Sequence, residues 1–182
     1  GTFANADVAY GGDDVVAQTV TLSYSALSGA DAGNYDVQWQ TTTSATITPK
    51  AISVSGLTVA DRDYDGTTTA TVIINTPTFT GLIANDVVTV EAATGSFADK
   101  NVAWDGGVVG STEVVKTATL TETFGGADVR NYTITGQGTT TAKILAKAAT
   151  ISGITALDRE YDGTTAAQVD VSGVSISNLV AG

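Results

Sequence analysis

Asp61, Asp63 and Asp65 stand at alternate positions of the stretch DRDYDGTTTA, and Gly66 follows them. Three carboxylates so spaced on a loop can converge on a hard cation such as calcium, while glycine permits the sharp turn. The stretch returns 97 residues downstream as DREYDGTTAA, with Asp158, Glu160 and Asp162 ahead of Gly163. A calcium loop of the EF-hand kind closes with a bidentate acid at its twelfth position, and both copies carry valine there, Val72 and Val169. Position nine is Thr69 in one copy and Ala166 in the other. What both copies keep is Tyr, Asp, Gly, Thr, Thr. The residues therefore read first as a structural turn, formed by Tyr64, Asp65 and Gly66 and again by Tyr161, Asp162 and Gly163. Asp and Gly tolerate positive φ, and the Asp carboxylate can bond the backbone ahead of it. The tyrosines are then expected to pack on the module. Calcium on Asp61, Asp63 and Asp65 is the competing reading, and no other cofactor is implied.

Other chemistry is narrowed by composition. The chain has neither His nor Cys, which removes the commonest general base, thiolate nucleophiles, disulfides and the usual transition-metal ligands. No spacing singles out a carboxylate pair or a Lys beside a Ser or Thr, so no enzyme is expected. A net charge of -11 repels nucleic acid and anionic membrane surfaces, and no apolar run is long enough for membrane insertion. Exposed aromatic rings offer one binding chemistry, the stacking of sugars. Trp39 and Trp104 are the candidates, with Tyr10 at the place equivalent to Trp104; core packing suits the same positions. In DAGNY and DVRNY, Asp31, Asn34, Asp128 and Asn131 are expected to make Asx turns into strands anchored by Tyr35 and Tyr132.

The elements that hold these residues are predicted to be strands. Val20, Leu22, Tyr24 and Ala26 alternate with Thr and Ser, and Ala118, Leu120 and Phe124 alternate with Thr117, Thr119, Thr121 and Thr123, the period of a half-buried strand. NYDVQWQ, NYTITG, TATVII and DVVTVEA read similarly, separated by turn signals such as YGGDD and WDGG. Almost no helix is expected. The fold class is all-β: tandem small antiparallel modules, an immunoglobulin-like sandwich favoured over a β-grasp-like module, in an elongated array.

Self-similarity sets the organisation. GADAGNYDV from Gly29 matches GADVRNYTI from Gly126, and ATITPKAISVSGLTVADRDYDGTTTA from Ala45 matches AKILAKAATISGITALDREYDGTTAA from Ala142, all at an offset of 97. Residues 1–50 are the closing half of a first module, 51–147 a complete module and 148–182 the opening of a third. With no Met and partial modules at each end, the chain is expected to be a window on a longer array. The junctions carry no Gly/Ser-rich or Pro-rich linker, which predicts a stiff string.

YDGTT near the start of a module, GADAGNY or GADVRNY near its end, and ATITPKAISVSG bridging to the next resemble the YDG-type repeats, and the related MBG-type repeats, of large bacterial surface adhesins and haemagglutinin-like exoproteins. The resemblance covers nearly the whole chain. It implies a secreted or cell-surface protein in which such modules form a stalk or filament, spacing an adhesive region from the cell. Their partners would be neighbouring modules of the same array, with a glycan or host surface as ligand of the whole. Calcium use elsewhere in such adhesins keeps that ion in view.

Overall fold

The computed structural model describes residues 1–181. Short strands dominate, as expected of a Thr- and Val-rich chain, and among the described residues helix is limited to single 3-10 turns at Ala32–Asn34, Asp105–Gly107 and Val129–Asn131. No described helix is long and apolar enough to cross a membrane. The chain forms two compact units, each assembled from separate stretches.

The first unit takes in Gly1–Ser55, Pro77–Ala92 and Thr123–Gly136. Gln18–Thr21 lies between Thr2–Phe3 and Thr42–Ala45 in an antiparallel sheet, and Tyr10–Gly11 forms a small hairpin with Asp14–Val15. A second sheet places Lys50–Ser55 between Thr78–Thr80, antiparallel, and Tyr132–Thr135, parallel. Its apolar face carries a core of Ile52, Val88 and Tyr132, flanked by Phe79, Leu82, Val129 and Ile134.

The second unit takes in Gly56–Thr76, Ala93–Glu122 and Gln137 onward. Its frame is a four-stranded sheet in the order Thr139–Ala142, Lys116–Gly125, Thr89–Phe97, Thr69–Ala70. Along Lys116–Gly125 the threonines are exposed while Ala118 and Leu120 are buried, the alternation that the sequence pattern requires. These two join Leu57, Val59, Ala70, Phe97, Ala142 and Ile144 in the larger core. Val72–Ile73 pairs with Thr58–Val59, and Ile144–Leu145 runs parallel to Arg62–Asp63.

The offset of 97 reappears in the hydrogen-bond register. Thr78, Phe79 and Thr80 face Ser55, Val54 and Ser53, and 97 residues later Ser175, Ile176 and Ser177 face Ser152, Ile151 and Thr150. Val72 and Ile73 face Val59 and Thr58, just as Val169 and Asp170 face Ala156 and Thr155. The side-chain period of two makes a one-residue slip move every apolar group to the wrong face, so equivalent patterns select one register.

The all-β class holds, with three departures in detail. Two pairings are parallel, Tyr132–Thr135 with Lys50–Ser55 and Ile144–Leu145 with Arg62–Asp63, where only antiparallel strands were expected. In the first copy the strand Gln18–Thr21 stops before Leu22, because its neighbour Thr2–Phe3 is two residues long where the complete copy has the nine of Thr89–Phe97. The expected strand NYDVQWQ is not formed: residues 35–40 pair with no described strand. Its counterpart Tyr132–Thr135 is a strand only through its long-range partner Lys50–Ser55.

Candidate functional site

The YDG turn sits in the second unit between two strands that belong to different sheets. Arg62–Asp63 pairs with Ile144–Leu145, and Thr69–Ala70 pairs with Gly95 and Ser96, so the turn is a corner between sheets rather than a hairpin. Gly66 has φ 82°, a conformation in which a Cβ is strained. One oxygen of Asp65 organises the corner: Oδ1 accepts from Thr67 N (2.8 Å), Thr67 Oγ1 (2.8 Å) and Arg62 Nη1 (2.5 Å). Arg62 continues to the backbone, donating to Thr67 O at 2.6 Å and Asp63 O at 3.1 Å, with its guanidinium 5.7 Å from the centre of the Phe97 ring. The Thr67 amide first, then its hydroxyl and the Arg62 charge, hold the Asp65 carboxyl below its ordinary 3.8. At neutral pH it is an ionised acceptor with its donors in place and no proton to give.

The three aspartates of the stretch are not brought together. Asp61 Oδ1 accepts from Lys143 N at 2.6 Å, while Asp65 folds onto its own turn, and among the described residues no group of three acidic side chains is placed to hold a metal ion. The second copy repeats the corner. Asp162 Oδ1 accepts from Thr164 N and Oγ1, both at 2.9 Å, and pairs with Arg159, which donates to Thr164 O at 2.6 Å. Gly163 has φ 73°. The tyrosines part company: Tyr64 packs against the larger core, whereas Tyr161 is 97% exposed, contrary to the expectation that both pack.

An acid titration tests the corner. The Asp65 and Asp162 carboxyls have folded-state values lowered from 3.8, so the stability they add is present above that pH and lost as the pH falls through the lower folded values. The melting temperature is expected to hold from about pH 7 to 5 and to fall below about pH 4. Asp65→Asn should lower it at neutral pH and flatten the acid limb; an unaltered limb would show that other carboxyls control it.

In the first unit a second polar cluster joins residues from two copies. Tyr10 Oη donates to Arg130 O at 2.7 Å, the Arg130 guanidinium lies 4.3 Å over the Tyr10 ring, and Arg130 Nη2 donates to Gly12 O at 2.9 Å. Asn131 Oδ1 accepts from Val8 N at 2.9 Å and its Nδ2 donates to Asp7 Oδ1 at 2.8 Å. Asp128 Oδ2 accepts from Val87 N at 2.7 Å. They border a polar cleft of about 350 Å³. The Asx turns expected at Asp31 and Asp128 are not formed. Both residues precede a 3-10 turn without capping it; backbone bonds such as Asn131 N to Asp128 O close that turn, freeing Asp128 and Asn131 to reach distant backbone.

The aromatic candidates differ. Trp39 is exposed and stacks on exposed Tyr24, with ring centres 4.7 Å apart and planes inclined by 26°. The complete copy has Gly136 and Glu122 at those places, so the pair is not part of the shared module frame. Trp104 is half-buried and bridges to Glu113, near the base of a loop containing the turn Asp105–Gly107.

Arg62 and Gln137 escaped the sequence reading. Arg62 has a signal, since Arg159 keeps it while Asp63 becomes Glu160. Gln137 accepts from Leu57 N through Oε1 and donates to Leu57 O through Nε2, both at 2.8 Å, mimicking a strand partner. Gln40, its equivalent, was also visible.

A family model described as YDG domain matches residues 48–142, just over half of the chain. No curated protein and no solved structure matches it. The matched span contains the Arg62–Asp65–Thr67 corner, all of the larger core except Ile144, and the parallel pair of Lys50–Ser55 with Tyr132–Thr135, and the chain belongs to the YDG domain family.

Proposed function

We propose that the chain is a stretch of stalk from a secreted bacterial adhesin or extracellular fibre, holding an adhesive region away from the cell surface without chemistry of its own. Membership of the YDG family suggests a binding or adhesion type of module at most; the spacer role rests on how the copies join. The observation that carries it is that three equivalent residues line a cavity at each of the two junctions. In the first unit Val8, Lys50 and Ile83 line a cavity of about 370 Å³, and in the second Val102, Lys147 and Val180 line one of about 180 Å³. A repeated junction propagates one geometry from copy to copy, as in other tandem arrays. Chains extended by one, two and three further 97-residue copies should gain a constant increment in maximum dimension by small-angle scattering. Growth as the cube root of length would sink the stalk reading.

A carbohydrate-binding role is the second reading, and the exposed Tyr24–Trp39 stack favours it. Paired rings give apolar area to a pyranose face. On a glycan array this reading expects binding that Trp39→Ala abolishes and Trp104→Ala leaves unchanged, whereas a pure spacer expects no aromatic-dependent signal.

A further inference from the structure

The segments that open and close the complete module pair in parallel. Lys50, Ala51, Ile52 and Ser53 face Tyr132, Thr133, Ile134 and Thr135, and Arg62 and Asp63 face Ile144 and Leu145. Both ladders keep one separation along the chain, 82 residues, whether taken from Lys50 to Tyr132 or from Arg62 to Ile144. Between them in sequence, Gln137 holds the backbone of Leu57 by two bonds of 2.8 Å. We propose that these contacts form a clamp that bears tension along the chain, loaded lengthwise when the module is pulled between its ends. That such tension arises in use rests on the stalk reading; the clamp is a property of the fold, so pulling and scattering experiments can fail separately.

The direction of pairing decides how the load falls. Tension enters at Lys50, drawing the opening segment toward its N-terminal end, and leaves after Leu145, drawing the closing segment toward its C-terminal end. Parallel strands drawn this way slide past each other, and because their bonds are evenly spaced, all pairs of a ladder are strained together. Antiparallel first and last strands would have both ends at one edge of the ladder and would be peeled open pair by pair. The shortest path through the module is covalent along 50–63 and along 132–145. It crosses between them at the two ladders, at the Gln137 bracket and at Asp61 Oδ1, which accepts from Lys143 N at 2.6 Å. Apolar groups on both segments keep water from the crossing: Ile52, Leu57, Tyr132 and Ile144 are buried. A bond sheared there finds no water to replace its partner, which raises the barrier that sets the rate of forced unfolding. Soon after Leu145 the chain becomes the next opening strand, Thr150–Ser152, so tension leaving one clamp is delivered to the start of the next module.

Optical-trap pulling on the full chain tests this, with handles attached through introduced cysteines, since native Cys is absent. Handles on Thr48→Cys and Ala148→Cys load the complete module from end to end. Handles on Thr48→Cys and Ala127→Cys load the Lys50–Ser53 ladder from one edge, because Thr48 and Ala127 both precede the strands that form it. Thr48, Ala127 and Ala148 are exposed, so the melting temperature should be unchanged in both double variants. At equal loading rate the end-to-end pair should rupture at about three times the force of the edge pair or more, because four pairs share the strain in the first and one at a time bears it in the second. Gln137→Ala should lower the end-to-end force and leave the edge force unchanged, because edge loading opens the ladder before the bracket is strained. The comparison of handle pairs needs no core substitution and stands by itself if Gln137→Ala fails to fold. Equal forces for the two handle pairs, or an end-to-end force that a folded Gln137→Ala chain does not lower, overturns the proposal.

Discussion

Phe97→Ala is expected to lower stability by about 3–5 kcal/mol, while Phe3→Ala, the same change at the equivalent position of the first copy, should lower it by about 1 kcal/mol or less. Phe97 is 2% exposed and Phe3 37%. The Phe97 ring packs among Leu57, Val59, Leu120 and Ile144 with Arg62 nearby, so its removal forfeits the transfer energy and leaves a cavity lined by side chains anchored in three sheets. The walls cannot collapse without breaking a pairing. Urea titration of both variants decides this: the Phe97 variant should shift the midpoint with little change in slope, and equal losses would mean that the core is not organised around the complete copy.

What separates these two phenylalanines also separates what the sequence disclosed from what it did not. Period-two alternation and turn dipeptides act over a few residues, so the Thr117 to Thr123 face, the Gly12 hairpin and the Asp65 corner could all be read directly. The offset of 97 reached further, because equivalent patterns force equivalent registers, as at Phe79↔Val54 and Ile176↔Ile151. Parallel pairing has no such signature. Tyr132–Thr135 and Lys50–Ser55 lie some eighty residues apart, and neither stretch encodes the choice of the other. The same pattern YDVQ–YTIT therefore makes a strand in the second copy and an unpaired segment in the first. Cross-copy contacts are equally silent: Arg130 and Asn131 read as local turn residues until Tyr10, Gly12, Asp7 and Val8 are brought to them. Gln137 shows the reverse case, a polar side chain serving as a strand partner, which no hydrophobic pattern records.

Gly126→Ala should lower stability by about 2–5 kcal/mol from backbone strain and overpacking together, against about 1–2 kcal/mol of strain alone for Gly29→Ala. The two glycines open equivalent motifs, GADVRNY and GADAGNY, and both have positive φ, 108° and 131°. Around Gly29 an added Cβ meets nothing within 4 Å, whereas at Gly126 it would lie 2.3 Å from Val87 O and 2.9 Å from Val88 Cα. Those atoms cannot move aside cheaply. Val87 N is held by Asp128, Val87 O accepts from Asp128 N at 3.1 Å, and Val88 belongs to the smaller core with Ile52 and Tyr132. The strain common to both positions cancels in the comparison, leaving the close approach of two backbones that only the complete copy makes. Equal melting temperatures for the two variants would show that the 87–88 segment is free to retreat, and that the smaller core does not depend on its docking against the Gly126 turn.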